Sequence, residues 1–185
     1  MKPLIIFGLA LIAAGIILYN RLVRSRNRVD TAWSDIDVQL QKRHDLIPNL
    51  VKSVDQYAGY ERATLDAVTR LRVAALRAAD VGERGRVETE LSDGMQRLIA
   101  VAENYPDLKA NENFLGLQSE LAATENYLQF ARRYYNGAVR DYNTMIAAVP
   151  SNIVANLFGF EERRFFQKSS DEAASVPLLE FGSIE

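Results

Sequence analysis

The sequence contains no cysteine and only one histidine, His44. Without cysteine the chain cannot form disulfide bonds, thiolate metal sites or a cysteine nucleophile, and it cannot be lipidated at cysteine. A single histidine excludes multi-histidine metal sites and the paired Glu-x-x-His motifs of di-iron helical bundles within one chain. These absences do not identify a compartment, because a cysteine-free protein tolerates either redox environment.

Recognisable catalytic motifs are also lacking. There is no glycine-rich phosphate loop, no HExxH, no G-x-S-x-G and no EF-hand loop. The formal net charge of −2 lacks the basic surplus that nucleic-acid-binding domains usually carry. The length of 185 residues indicates one main domain. We therefore expect a protein that is not an enzyme, has no cofactor and binds no nucleic acid.

One long apolar run stands near the N-terminus, from Leu4 to Tyr19, and contains no charged residue. As a helix it covers roughly 24 Å of the 30 Å or so of a bilayer core, and the flanking residues extend it. A signal peptide is the alternative interpretation, but no small-x-small cleavage site follows the run. The pattern predicts an uncleaved single-pass anchor over residues 1–20, with the lipid bilayer as a partner.

Positive charge follows this run directly, in Arg21, Arg24, Arg26 and Arg28. Only Lys2 and the terminal amine lie on the other side. The positive-inside rule predicts a cell (inner) membrane protein whose C-terminal domain is cytoplasmic. The same arginines could contact anionic headgroups.

A helical apolar stripe begins after the arginines, with steps of three, four or seven residues. Its members are Trp33, Ile36, Leu40, Ile47, Leu50, Val54 and Tyr57. Arg43 and Glu61 fall on this seam, which predicts either charges paired at the edge of a bundle or a buried polar site. Pro48 predicts either a kink or the end of the helix with a turn.

Three further helical stretches are predicted, at Asn49–Ala79, Arg86–Asn104 and 113–149, the last with a coiled-coil-like seam. Asp80–Gly85 is expected to form a turn, Asp107–Asn111 a loop, and Asn111 or Asn113 a helix cap. Matching the helix lengths favours a turn at Pro48, which makes four segments; a kink is the alternative. The predicted fold is all-α, with one transmembrane helix before a helical domain over residues 21–166; if the chain turns at Pro48, that domain is an antiparallel up-and-down four-helix bundle.

The C-terminal end contains a short amphipathic piece, Ile153 to Phe158. Phe160, Phe165 and Phe166 are expected to dock on the bundle end. Residues 167–185 are predicted to be a flexible tail. Its apolar patch, Val176 to Phe181, is either a strand-like flap on the bundle or a peptide that binds a partner.

The polar side chains around the two predicted helix interruptions form a candidate cluster. Its members are Asp37, Arg43, Asp45, Asn49, Glu103 and Asn111. If the Pro48 bend met the Tyr105 loop, the oxygens of Asp45, Asn49, Glu103 and Asn111 could bind a cation. The alternative is that these side chains satisfy backbone groups exposed where the helices end.

Several sequence motifs, in this order along the chain, resemble those of the LemA family. They are Tyr19–Val23, Arg26–Val29, Ala32–Leu40, Asp45–Val51, Tyr105–Phe114, Tyr134–Asn136 with Tyr142–Asn143, and Pro150–Ile153. The resemblance implies a membrane-anchored helical bundle whose biochemical role is largely undefined. One family branch is associated with building magnetosome membranes, and other members lie beside genes for membrane metalloproteases.

The function predicted from these features is a non-enzymatic interaction or scaffold protein. It would engage membrane-protein partners or form a homo-oligomer. The alternatives are an adaptor for a membrane metalloprotease, a receptor with a groove along the bundle, and an enzyme with a polar site at the Pro48 and Tyr105 bends.

Overall fold

Helices make up nearly all of residues 1–166, the part of the chain that the computed structural model describes, and no strand occurs there. The prediction of an all-α protein is confirmed. The helices are α1 (Lys2–Ala58), α2 (Arg62–Arg77), α3 (Val81–Ala102), α4 (Pro106–Lys109), α5 (Glu112–Ala147) and α6 (Ser151–Leu157). The predicted tail and its patch at residues 176–181 lie outside the described residues.

Helix α1 runs without a break from the apolar run through Pro48. Pro48 has no amide hydrogen for the carbonyl four residues earlier, that of His44. Nε of Arg72, from α2, donates to this oxygen at 2.8 Å and replaces the missing bond. The turn predicted at Pro48 is therefore wrong, because a side chain from another helix satisfies the group that proline leaves open.

The chain breaks instead at Gly59–Glu61, so the single helix predicted for Asn49–Ala79 is divided between α1 and α2. The turn predicted at Asp80–Gly85 is also wrong. Oδ2 of Asp80 accepts hydrogen bonds from the amides of Gly82 (3.0 Å) and Glu83 (3.3 Å) and starts α3 there. The glycines lie inside its first turns.

The loop predicted before the long helix contains one helical turn, α4, and ends in the expected cap. Oδ1 of Asn111 accepts from the amides of Asn113 (3.0 Å) and Phe114 (3.2 Å). Helix α5 then extends to Ala147, close to the predicted bounds.

Buried side chains form two apolar groups along the molecule. The first joins the second half of α1 to α2, α3, α4 and the start of α5, and includes Leu50, Leu91 and Leu98. The second joins residues 22–40 of α1 to residues 128–142 of α5, α6 and Phe166. Most of the predicted α1 stripe is buried, but Tyr57 is 39% exposed and Ala58 takes the inner position.

Helices α1 and α5 pack along each other in opposite directions, since Trp33 contacts Tyr135 whereas Tyr57 meets Asn111. Helices α2 and α3 meet closely at Gly94. A Cβ there would lie 3.3 Å from Cδ1 of Leu71 and 3.4 Å from Cγ2 of Val68. The glycine therefore allows the two backbones to approach.

Candidate functional site

Arg43 is fully buried, on the inner face of α1 between the two apolar groups. Its Nη2 donates to a carboxylate oxygen and to the backbone carbonyl (3.2 Å) of Glu88 on α3. Its Nη1 donates to Oγ of Ser92 at 2.6 Å and to Oε2 of Glu125, on α5, at 2.7 Å. One side chain thus connects α1, α3 and α5.

Glu88 is also fully buried, and it contacts two residues of α1. Its Oε2 pairs with Arg43, and its Oε1 lies 2.8 Å from Nε2 of His44. Within residues 1–166 neither His44 Nε2 nor Glu88 Oε1 has a further polar partner. Burial alone would raise the pKa of Glu88, but the contact with His44 and the charge of Arg43 outweigh it and lower the pKa. The carboxylate is therefore ionised at neutral pH.

Arg132 of α5 completes the group at its rim, 3.7 Å from Oε1 of Glu125. Burial, and then the nearby charge of Arg43, lower the pKa of Arg132. Next to it, a groove of about 510 Å³ opens between α3 and α5, with Gln129, Arg132 and Phe166 in its lining. We call Arg43, His44, Glu88, Ser92, Glu125 and Arg132 the ionic cluster.

Two guanidinium groups and two carboxylates balance the charge of the ionic cluster when His44 is neutral. Such a network disfavours displacement of the helices that contribute to it, because separating one partner leaves a buried charge uncompensated. Within residues 1–166, no group of three or more His, Asp or Glu residues is placed to hold a metal ion. The cluster therefore has the features of a structural connection that holds α1, α3 and α5 together.

Of the six residues proposed from the sequence, only Arg43 belongs to the ionic cluster. Asp37 pairs with Arg84 at 2.9 Å and is about half exposed. Asp45 accepts a hydrogen bond from Gln41 at 2.8 Å on the exposed face of α1. Asn49 and Glu103 are both exposed.

Asn111 caps α5 and approaches the hydroxyl of Tyr57 (3.4 Å). Since α1 continues past Pro48, Asp45 stands about 18 Å along the helix axis from Tyr57. The structure therefore does not bring Asp45 and Asn111 together. The proposed oxygen-only cation site depended on a bend that the helix does not make.

The extended segment Glu161–Phe166, which we call the strap, lies along α5 and is held by two asparagine amides. Asn143 donates to the carbonyl of Arg163 and accepts from its amide, both at 2.9 Å. Asn136 pairs in the same way with Phe166, at 3.1 and 2.9 Å. The hydroxyl of Tyr135 adds a bond to the carbonyl of Arg164 at 2.8 Å. The motifs Tyr134–Asn136 and Tyr142–Asn143 thus supply the side chains that bond the strap to α5.

Trp33 lies where the strap ends. Its ring centre is 5.5 Å from that of Tyr135 and 6.1 Å from that of Phe166, and the guanidinium of Arg84 is 5.7 Å from it. Phe160 and Phe166 are buried, as predicted, whereas Phe165 is 43% exposed. The strap therefore closes the second apolar group.

Two phenylalanines that precede the strap, Phe158 and Phe160, meet the end of the apolar run. The ring of Tyr19 is 4.8 Å from that of Phe158 and 5.7 Å from that of Phe160, and the guanidinium of Arg26 is 5.4 Å from the Phe160 ring. Helix α6 therefore stands beside α1 at the height where the arginines begin.

A stripe of exposed aromatic side chains lies on the outer face of α5. It consists of Tyr127, Phe130 and Tyr134, each more than half exposed. Their spacing of three and four residues places them on one face of the helix. We call this set the aromatic stripe.

The fold and the cluster define an all-helical protein with one long apolar N-terminal helix. The model of the LemA family matches residues 32–181, and the chain belongs to that family. Relatives include Magnetosome protein MamQ 2 of Paramagnetospirillum magneticum, 25% identical over 92% of this chain and 71% of that protein. Protein LemA of Metamycoplasma hominis is 28% identical over 87% of this chain and 74% of its own length. Magnetosome protein MamQ of Magnetospirillum gryphiswaldense is 22% identical over 92% and 71%.

Sequence reasoning missed Glu88, the partner that accounts for Arg43. A signal was present, because Glu88, Leu91, Met95 and Leu98 follow one another at steps of three and four residues, and all four are buried. A carboxylate on such a stripe indicates a buried positive partner. His44 gave no comparable signal, since it lies beside the predicted seam.

Proposed function

We propose that this protein is a non-enzymatic helical interaction protein, anchored in the cell (inner) membrane and carrying a cytoplasmic domain that engages membrane proteins or further copies of itself. The observation that carries the proposal is helix α1. One uninterrupted helix contains both the apolar run and the buried face around which the domain is built. Any displacement of the anchor would be transmitted directly to the domain.

The exposure pattern of α1 supports the anchor. No residue from Met1 to Arg21 is buried, although most of them are large and apolar. α1 is long and apolar enough to cross a membrane by length and composition. The buried positions begin at Leu22, three residues after the apolar run ends. The four arginines that follow favour the cytoplasmic orientation.

We infer that α1, α2, α3 and α5 form an up-and-down four-helix bundle. The opposite directions of α1 and α5 support it. So does the pairing of α3 with α1, in which Arg84 meets Asp37 and Glu88 meets Arg43, so that residue numbers rise together. Short connections between consecutive helices fit this arrangement.

The ionic cluster favours a rigid domain over a catalytic one. Its charged groups are bonded to each other, and it connects three helices at the middle of the core. The aromatic stripe on α5 offers an outward surface of the kind that protein partners use, since exposed aromatic residues are enriched at interfaces.

Site-specific photo-crosslinking in the native membrane tests the proposal. A photoreactive amino acid replaces Phe130 on the aromatic stripe, and in a control chain it replaces Asp45, which is exposed on α1. We expect a discrete crosslinked band from position 130, containing either a membrane protein or a second copy of the chain, and no such band from position 45. Identical, diffuse labelling from both positions would contradict an interaction role for this surface.

A further inference from the structure

Helix α6 exposes apolar side chains at the end of the molecule that adjoins the anchor. Val149, Ile153, Leu157 and Phe158 are 79%, 65%, 76% and 58% exposed. No polar residue covers them within residues 1–166, which is unusual for aliphatic side chains on a water-facing surface. Together they form an exposed apolar patch, a kind of surface that marks membrane or protein contacts.

The orientation of α6 is fixed by its buried face. Ser151 and Ala155 are both buried: Ala155 belongs to the second apolar group, and the Ser151 hydroxyl donates to the carbonyls of Met145 and Ala148. Ile153 and Leu157, two residues further along in each case, lie on the opposite side, since two residues correspond to about 200° of helix rotation. The core thus holds α6 so that its apolar side faces outward.

The height of α6 relative to α1 is fixed by aromatic contacts. Phe158 packs against Tyr19, the last residue of the apolar run, with the two rings tilted and their centres 4.8 Å apart. Leu22, one turn further on, is buried in the same apolar group as Ala155. One helical turn is about 5.4 Å, and the headgroup region adds roughly 5–7 Å to each side of the hydrocarbon core. Helix α6 consequently lies at the level of the lipid headgroups if Leu4–Tyr19 spans the bilayer.

We propose that α6 is a second membrane contact, lying in the headgroup region with Ile153, Leu157 and Phe158 inserted toward the acyl chains. The chemistry suits this place, because short amphipathic helices insert their apolar face about 5–10 Å into the headgroup boundary. Tyr19 contributes an aromatic ring at the interface. The exposed Arg21 and Arg24 on the adjoining turn of α1 suit anionic headgroups. The contact would stop the domain from tilting about the anchor.

This inference rests on the proposed anchor, so the experiment must separate the two. The chain has no cysteine, and single-cysteine variants of the full chain can therefore carry one nitroxide each. The variants are Ile12→Cys in the apolar run, Ile153→Cys and Leu157→Cys on α6, and Val38→Cys as the control. Val38 is as exposed as Ile153, at 64%, but lies about 28 Å further along α1 from Tyr19.

The variants are reconstituted in vesicles of phosphatidylcholine and phosphatidylglycerol, and collisions of the nitroxide with oxygen and with a water-soluble nickel complex are compared. We expect the ratio of oxygen to nickel collisions at positions 153 and 157 to be severalfold higher than at 38, and intermediate between 38 and 12. Ratios at 153 and 157 equal to that at 38, with position 12 in lipid, would overturn the membrane contact and leave the anchor intact. A water-like ratio at position 12 would overturn both.

Discussion

At the scale of single residues, Arg43 and Glu88 decide how the centre of the domain is held. Both side chains are fully buried and bonded to each other, with His44, Ser92 and Glu125 around them. The ionic cluster interrupts the apolar core between Leu40 and Ile47 on α1 and between Leu121 and Leu128 on α5. A displacement of any of these helices along its axis would break charged hydrogen bonds, so the cluster selects one register.

Glu88→Gln tests this role. The change keeps the shape of the side chain but leaves the buried guanidinium of Arg43 short of a negative charge, which we expect to lower the free energy of unfolding by about 3–5 kcal/mol. Denaturant unfolding of the reconstituted protein measures it. The matched control is Glu90→Gln on the same helix, where the pair with Arg86 is about half exposed and its loss costs about 0–1 kcal/mol. Equal effects of the two changes would contradict the claim that the ionic cluster holds the helices in register.

The same pair predicts a pH dependence. The pKa of Glu88 is lowered in the folded protein from its ordinary value of 4.5. A lowered pKa contributes stability that is present above the unfolded value and is lost as the pH falls through the folded value. We expect the difference in unfolding free energy between the native chain and Glu88→Gln to shrink progressively as the pH falls below about 4.5. A difference that stays the same in acid would show that ionisation of Glu88 does not stabilise the fold.

Only one member of this cluster, Arg43, could be predicted from the sequence. The seam position of Arg43 indicated a buried charge, because it interrupts apolar residues at helical spacing. Its partners come from α3 and α5, some 45 and 82 residues away. Sequence spacing carries no information about which face of a distant helix will meet Arg43. Four of the other proposed residues were chosen from an assumed bend that the helix does not make, so they are dispersed in the structure; these are Asp45, Asn49, Glu103 and Asn111.

At the scale of elements, α1 continues past Pro48, where a proline would ordinarily end or kink a helix. Proline breaks helices because it lacks an amide hydrogen and its ring crowds the preceding turn. The apolar stripe keeps its register across Pro48, which favoured continuity, whereas the comparison of helix lengths favoured a turn. Arg72 stabilises the continuous helix by donating a hydrogen bond to the carbonyl of His44. This compensation depends on tertiary structure and could not be predicted from the local sequence.

Arg72→Ala and Pro48→Ala form a double-mutant cycle for this contact. Alone, Arg72→Ala leaves the His44 carbonyl without a donor, which we expect to cost about 1–3 kcal/mol of unfolding free energy. In the Pro48→Ala background the new amide at position 48 can bond the same carbonyl, so the cost should become markedly smaller. The two changes would be additive if Arg72 acted only through its charge or its packing.

The strap is a second element whose position depends on particular side chains. Asn143 and Asn136 each bond one strap residue through both amide atoms, Arg163 and Phe166 respectively. We expect Asn143→Ala to speed amide hydrogen exchange at Arg163 by roughly tenfold, the equivalent of one lost hydrogen bond. Asn136→Ala should act on Phe166 instead. Each variant is the control of the other, and equal effects at both amides would mean that the strap opens as a unit.

At the scale of the whole molecule, α1 is the common element. Its first third is apolar and unburied, its buried face carries Arg43, and its last turns pack against α2 and α4. The family match, the apolar run and the arginines after it all support the proposed arrangement, in which the first part of α1 is a membrane anchor and the rest belongs to the domain. The apolar run and its flanking charges could be predicted well from the sequence, because hydrophobic runs and charge clusters are local signals. The contacts of α6 with Tyr19 could not be, since they join residues almost 140 positions apart.

The measurement that tests the central claim most directly is the membrane topology of α1. A single cysteine is inserted between Met1 and Lys2 in one chain, and Val38 is replaced by cysteine in another. Both chains are treated with a membrane-impermeant maleimide in right-side-out vesicles, before and after permeabilisation. We predict that the N-terminal cysteine reacts at once and that Val38→Cys reacts only after permeabilisation. If both cysteines reacted from the same side, α1 would not cross the membrane and the account would be wrong.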